Sequence, residues 1–229
     1  MKGAIAIVGG LTVALVLAAA AFFGYGSWQA AGFLQASLAV GGPMAQGSGW
    51  SAPETPYDIG YAGDPMEAFG YGFRNIRLGS DLGDMPAWLV PPPAERASRG
   101  RWAVFVHGIG GRRENGYRFL PVLHQAGMPV LLLSYRNDEG APPSAEGIYA
   151  FGLTEWRDLE SAVEHAVDHG ASSVVIVAES MGGAIAGQFL RRSALAGRVS
   201  ALVLDAPALD FPVSWPPRST GRAFPSPVS

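Results

Sequence analysis

The residues best placed to do chemistry are Ala178-Glu179-Ser180-Met181-Gly182-Gly183, set between an apolar run and an alanine-rich stretch. On a tight strand-to-helix turn, a serine hydroxyl is pushed out over the sheet edge. The next backbone N–H, that of Met181, then lies at a helix N-terminus, facing a developing oxyanion. Small residues two before and two after the serine let strand and helix approach; Ala178 stands where glycine is usual and adds one methyl. Ser-x-Gly alone is a weak pattern. Its context is stronger, because Gly182 and Gly183 fall in the first helical turn, where each glycine costs about 1 kcal/mol relative to alanine. Ser180 is therefore the candidate nucleophile.

A second signal ends the first apolar run, at Val104-Phe105-Val106-His107-Gly108-Ile109-Gly110-Gly111. A glycine-rich turn there can offer backbone N–H groups to an oxyanion, and Ile109 is placed to donate the second bond. Gly108 lets the main chain come close to substrate, and His107 is expected to pack the loop and support it without acting as the base. The chain has 4 histidines, His107, His124, His165 and His169, all ahead of Ser180. His165 and His169 are expected near the C-terminal end of a helix, on the far side of the sheet from Ser180, and His124 late in another covering helix. Asp205, closing an apolar run at Asp205-Ala206-Pro207, is the candidate acid, although a turn-forming role suits it better; Asp210 is weaker still. A serine hydroxyl without a base is a poor nucleophile at neutral pH.

Elements that must position these groups follow from periodicity. Phe73 to Leu78 and Ala87 to Val90, around a Gly/Asp turn, predict a β-hairpin closed by Pro91-Pro92-Pro93. Four buried strands are predicted at Trp102 to Val106, Pro129 to Tyr135, Ser173 to Val177 and Ala201 to Leu204. Helices are predicted at Tyr117 to Gln125, at Trp156 to Val167 with Thr154 as N-cap and Gly170 as stop, and from about Met181 to Leu195. Alternation of strand and helix implies a mostly parallel sheet covered on both faces, the α/β class. No internal repeat is present. The turns lack a Gly-x-Gly-x-x-Gly fingerprint with an acidic ribose ligand, so a dinucleotide cofactor is not expected.

His107-Gly108, the elbow Ser180-Met181-Gly182-Gly183-Ala184-Ile185-Ala186 and Asp205-Ala206-Pro207 resemble the α/β-hydrolase superfamily, especially its monoacylglycerol-lipase-like and serine-esterase branches. The resemblance covers roughly Gly70 to Asp210. It implies a Ser-Asp/Glu-His triad in that chain order and ester hydrolysis through an acyl-enzyme on Ser180, with Met181 and Ile109 as oxyanion donors. It also implies an acid and a histidine well after Pro207, which this sequence does not supply. The expectation is a truncated and inactive serine hydrolase for small-molecule or lipid esters. A non-catalytic, membrane-anchored binding or scaffold protein is the alternative.

The totals set outer bounds. With 229 residues, a formal charge of -3 and isolated Arg-Arg pairs, the chain has room for one domain plus an appendage and no surface suited to nucleic acid. Absence of cysteine excludes disulfides, thiolate metal sites and a cysteine nucleophile. Ile5 to Phe23 is uncharged and long enough to span a membrane, so residues 1–24 are expected to anchor the chain; a cleaved signal peptide is the competing reading. Lys2, the one flanking positive charge, places the domain outside the cytoplasm. Residues 25–69 are expected to be a juxtamembrane linker with a short helix near Trp28 to Val40, and 70–210 a partial hydrolase domain. The proline-rich stretch 211–229 keeps no period and is expected to be a disordered or off-frame tail, with on the order of 100 residues of domain missing.

Overall fold

The computed structural model describes residues 2–46, 52–98 and 100–209; Asp210 and the 211–229 tail lie outside the described residues. The predicted hairpin forms as β1 (Arg74–Ser80) and β2 (Gly83–Val90), with Ser80 opposite Gly83 across a two-residue turn. The apolar runs become β3 (Arg101–Val106), β4 (Val130–Leu133), β5 (Ser173–Glu179) and β6 (Val199–Asp205). They form one sheet in the order β1-β2-β4-β3-β5-β6. The hairpin joins antiparallel, and β4, β3, β5 and β6 run parallel. Their carboxyl ends therefore share one edge, where loops from a parallel sheet gather chemistry.

Alternation along each strand sorts the core into two layers. Val104, Val106, Leu131, Leu133, Ile176 and Ala178 face one side, under α4 (Trp156–Asp168) and α5 (Met181–Arg192). Ala103, Phe105, Leu132, Val175 and Val177 face the other, packed with Tyr117, Leu120 and Leu123 from the β3–β4 connection. That connection is not one helix from Tyr117 to Gln125. A 3-10 stretch, Arg113–Arg118, gives way to a short α3 (Leu120–Gln125), because Pro121 fits only the first turn of a helix. Helix α4 starts after Glu155 and not after a Thr154 cap. The Glu155 carboxylate, fully buried, accepts from the N–H groups of Ala150, Gly152 and Thr154 and so builds the turn ahead of the helix. β6 is an edge strand, with Leu202, Val203 and Leu204 each more than a third exposed.

A buried ion cluster ties the hairpin to this layer. Arg136 grips Asp158 through Nε (2.8 Å) and Nη2 (2.9 Å) and also pairs with Asp81 in the hairpin turn. Asp158 is fully buried, and Arg136 is only 2 % exposed.

At the N-terminus one helix, α1 (Lys2–Leu38), runs without a break into the first part of the stretch expected to be linker, residues 25–38, and takes in most of the short helix expected near Trp28 to Val40. Its glycines do not interrupt it, and Gly9–Leu38 is long and apolar enough to cross a membrane. After Leu38 the chain docks at once: Ala39 bridges Ile148, Tyr149 N–H donates to Leu38 O (2.9 Å) and Val40 N–H to Gly147 O (3.0 Å). The segment then reaches α2 (Pro65–Phe69), capped by Asp64.

Candidate active site

Ser180 occupies the turn between β5 and α5 with φ 47° and ψ -114°, a backbone region that a residue with a Cβ enters only under constraint. Three main-chain bonds hold it there. Ser180 N–H donates to Asp205 O (2.9 Å), while Gly183 N–H and Ala208 N–H donate to Ser180 O (2.9 and 2.8 Å). The glycines explain how the helix can begin so close to the sheet. A Cβ on Gly182 would lie 2.2 Å from Val106 O, and one on Gly183 would lie 2.6 Å from Pro207 Cβ. Ala178 is fully buried, so its extra methyl is accommodated. Met181 opens the 12-residue helix α5, where its N–H has no intrahelical acceptor.

The loop after β3 packs directly on this turn, since a Cβ on Gly108 would lie 2.9 Å from Ser180 Cβ. Its main-chain orientation is set by the Gly108 carbonyl, which accepts from His107 Nδ1–H (2.8 Å), Tyr135 Oη–H (3.1 Å) and Gly111 N–H (3.0 Å). In a trans peptide, C=O and the next N–H point in opposite directions. Fixing Gly108 O inward turns the Ile109 N–H the other way, free of the loop's internal bonding.

His107 is wholly buried and stacks on Tyr135 at 4.3 Å. Its Nε2 lies 2.9 Å from Asp138 Oδ2, which also accepts from Tyr135 N–H (2.7 Å). A carbonyl accepts, and so does an ionised carboxylate, so beside a charged Asp138 both ring nitrogens are placed to donate, the arrangement of an imidazolium. Burial alone would push its pKa down, but the Asp138 charge and hydrogen bond, the Gly108 carbonyl and Glu179 together lift it above the ordinary histidine value. His107 is thus more than a packing residue. Its partner Asp138 carries no signal of its own in the sequence, lying just beyond the strand predicted at Pro129 to Tyr135.

The other candidates stand apart. Asp205 Oδ2 pairs with Arg118 Nη1 (2.9 Å), whose Nη2 holds Glu179 Oε1 (2.8 Å), and Asn115 Nδ2–H donates to Glu179 Oε2 (3.0 Å). His124 stacks on Tyr71 at 4.0 Å, its pKa lowered by burial. His165 and His169 stack on each other at 4.0 Å beside Trp102, at the opposite end of β3 from the site. Among the described residues, no cluster of three or more histidines and carboxylates suits a metal ion.

The fold that carries this strained serine is matched by comparison with known proteins. The model of the alpha/beta hydrolase family matches residues 103–229, more than half of the chain. The chain belongs to the alpha/beta hydrolase family. It has the same fold as an esterase from Pyrococcus furiosus, with TM-score 0.52 and 18% identity over 68% of this chain and 58% of that one. It is similarly related to a serine hydrolase without a lid from Xanthomonas campestris, with TM-score 0.51 and 18% identity over 59% of this chain and 61% of that one. The chain thus spans about three-fifths of the length of each. Among curated proteins, none matches it.

Proposed function

We propose that this hydrolase reacts with carboxylic esters through Ser180, with the Met181 and Ile109 N–H groups as oxyanion donors and His107 and Gly108 supporting the loop. The observation that carries this reading is the backbone of Ser180, held at positive φ by three hydrogen bonds and covered by Gly108. Ser180 Oγ attacks the ester carbonyl carbon and gives its proton to a base. The bond to the alcohol oxygen breaks, the alcohol leaves with a proton, and water later releases the acid from the serine. No cofactor takes part in these steps.

The base is where this chain falls short. His107 has both nitrogens committed, and His124, His165 and His169 lie away from the elbow. Asp205 is bound to Arg118 and has no histidine to orient. We therefore expect residues 1–229 to form the covalent adduct slowly and to turn over esters several orders of magnitude more slowly than an intact triad. The absence of a histidine beside Ser180 also favours a second reading, a binding or scaffold protein on the same fold. In both readings α1 spans a membrane, with Lys2 on the cytoplasmic side and the domain outside.

A fluorophosphonate probe separates the two. Mass-spectrometric detection of one adduct on Ser180, absent in Ser180→Ala, supports the nucleophile. No adduct at saturating probe supports the scaffold.

A further inference from the structure

Between Lys2 and Glu54 the sequence carries no charged residue. Helix α1 exposes most of this stretch, and none of its apolar window is buried against protein. Phe22, Phe33 and Trp28 are each roughly 70 % exposed. A helix apolar on all sides suits a protein core or a bilayer, and this one is not packed in the core of the described domain. Gly9–Leu38 has 30 residues, which at about 1.5 Å each make about 45 Å, the thickness of a bilayer with its headgroups. In a bilayer crossed by this helix, that length would put Leu38 at the surface.

No free tether separates this point from the site. The segment after Leu38 folds back on the last helical turn, with Met44 N–H donating to Ser37 O (3.2 Å) and Gly42 N–H to Ala39 O (2.8 Å). The next residue, Ala45, presses on the oxyanion loop. A Cβ on Gly110 would lie 2.5 Å from Ala45 O, and Gly110 sits at φ 66°, so only glycine fits the approach. Four links thus join the end of the membrane helix to Ile109: Ser37, Met44, Ala45 and Gly110. Bonds from Leu38 and Val40 to Tyr149 and Gly147 clamp the same junction from the other side. Beside it lies a cavity of about 550 Å³ lined by Val40, Ala45, Gly110, Arg112, Arg113 and Tyr149. Val40 exposes an apolar side chain in its lining, and the rest is mostly polar, with Arg112 exposed and paired with Glu139 beside Glu114 and Asp138.

We propose that the site of this hydrolase faces the bilayer that holds α1, and that its substrate is a membrane-resident lipid ester drawn past the Ala39–Gln46 strap. The substrate class rests on Ser180 being the nucleophile; the placement of the site rests on the strap alone.

Absence of cysteine allows single-cysteine labelling of the full chain in phosphatidylcholine vesicles. Spin labels at Arg112→Cys, on the strap side, and at Asp168→Cys, beyond the amino end of β5, report depth through their relaxation by oxygen against a water-soluble nickel chelate. The two ends are about 20 Å apart along a strand. The Arg112→Cys label is expected at the headgroups and the Asp168→Cys label in water. Two labels equally exposed to the chelate would overturn the placement. In the same vesicles a long-chain fluorophosphonate is expected to label Ser180 at least about tenfold faster than a short-chain one. Equal rates would overturn the substrate class. No adduct from either probe would remove the nucleophile and the substrate class with it, while the depth of the Arg112→Cys label would still decide the placement.

Discussion

Replacing Asp138 by alanine should cost stability in a way that depends on pH. Asp138 and His107 are nearly sealed from solvent, at 8% and 1% side-chain exposure, so their charges are poorly screened. Removing one partner of such a pair costs about 3–5 kcal/mol, because the other charge is left uncompensated. His107 keeps its Gly108 bond only while protonated on Nδ1, and without Asp138 the ring is free to shed its second proton, which limits the loss. The folded pKa of His107 is raised, so its charged form contributes stability that is fully present below the unfolded histidine pKa. That stability is lost as pH rises through the folded value. The cost of Asp138→Ala should therefore be largest near about pH 6 and shrink toward about pH 9. Urea unfolding of the full chain in detergent micelles, followed by tryptophan fluorescence, measures it in both proteins at both pH values. An equal cost at both would show that His107 is neutral in the folded protein and would refute the assignment of both nitrogens as donors.

Two further substitutions test the frame around the site. Arg136→Ala leaves the fully buried Asp158 without its guanidinium and should destabilise the protein by about 3–5 kcal/mol by the same unfolding measurement, with Arg136→Lys recovering only part. Gly182→Ala places a methyl 2.2 Å from Val106 O, where backbone must move; a loss of about 1–3 kcal/mol is expected together with slower fluorophosphonate labelling of Ser180.

What could be seen in advance depended on how local the cause was. Strands β3 and β5 and the elbow at Ser180 are written in contiguous residues, an apolar run followed by glycines, and their positions follow from pattern alone. The sequence marks a break near Gly24, where the stretch turns rich in glycine, alanine, serine and proline and keeps no period, yet α1 continues to Leu38. With no atoms within 4 Å of where a Cβ would stand on Gly24, Gly26 or Gly32, these residues meet no packing demand, and an apolar helix tolerates them. Asp138 was hidden because its partner is 31 residues away and it lies just beyond the predicted strand. Glu155 was overlooked for Thr154 because capping rules name the short polar residue, whereas here a longer carboxylate gathers three N–H groups ahead of the helix. The contact of Ala45 with Gly110 has no sequence signature at all, being a meeting of two backbones.

The pairing of Ala39 with Ile148 also sets an order in time. On a ribosome adding about 5–20 residues per second, Ile148 follows Ala39 by roughly 5–20 s. Throughout that interval α1 has been made and Ala39 has nothing to pair with. The pairing that clamps the end of α1 to the domain therefore forms only after β1 to β4 have been made, and the turn at Ser180 later still.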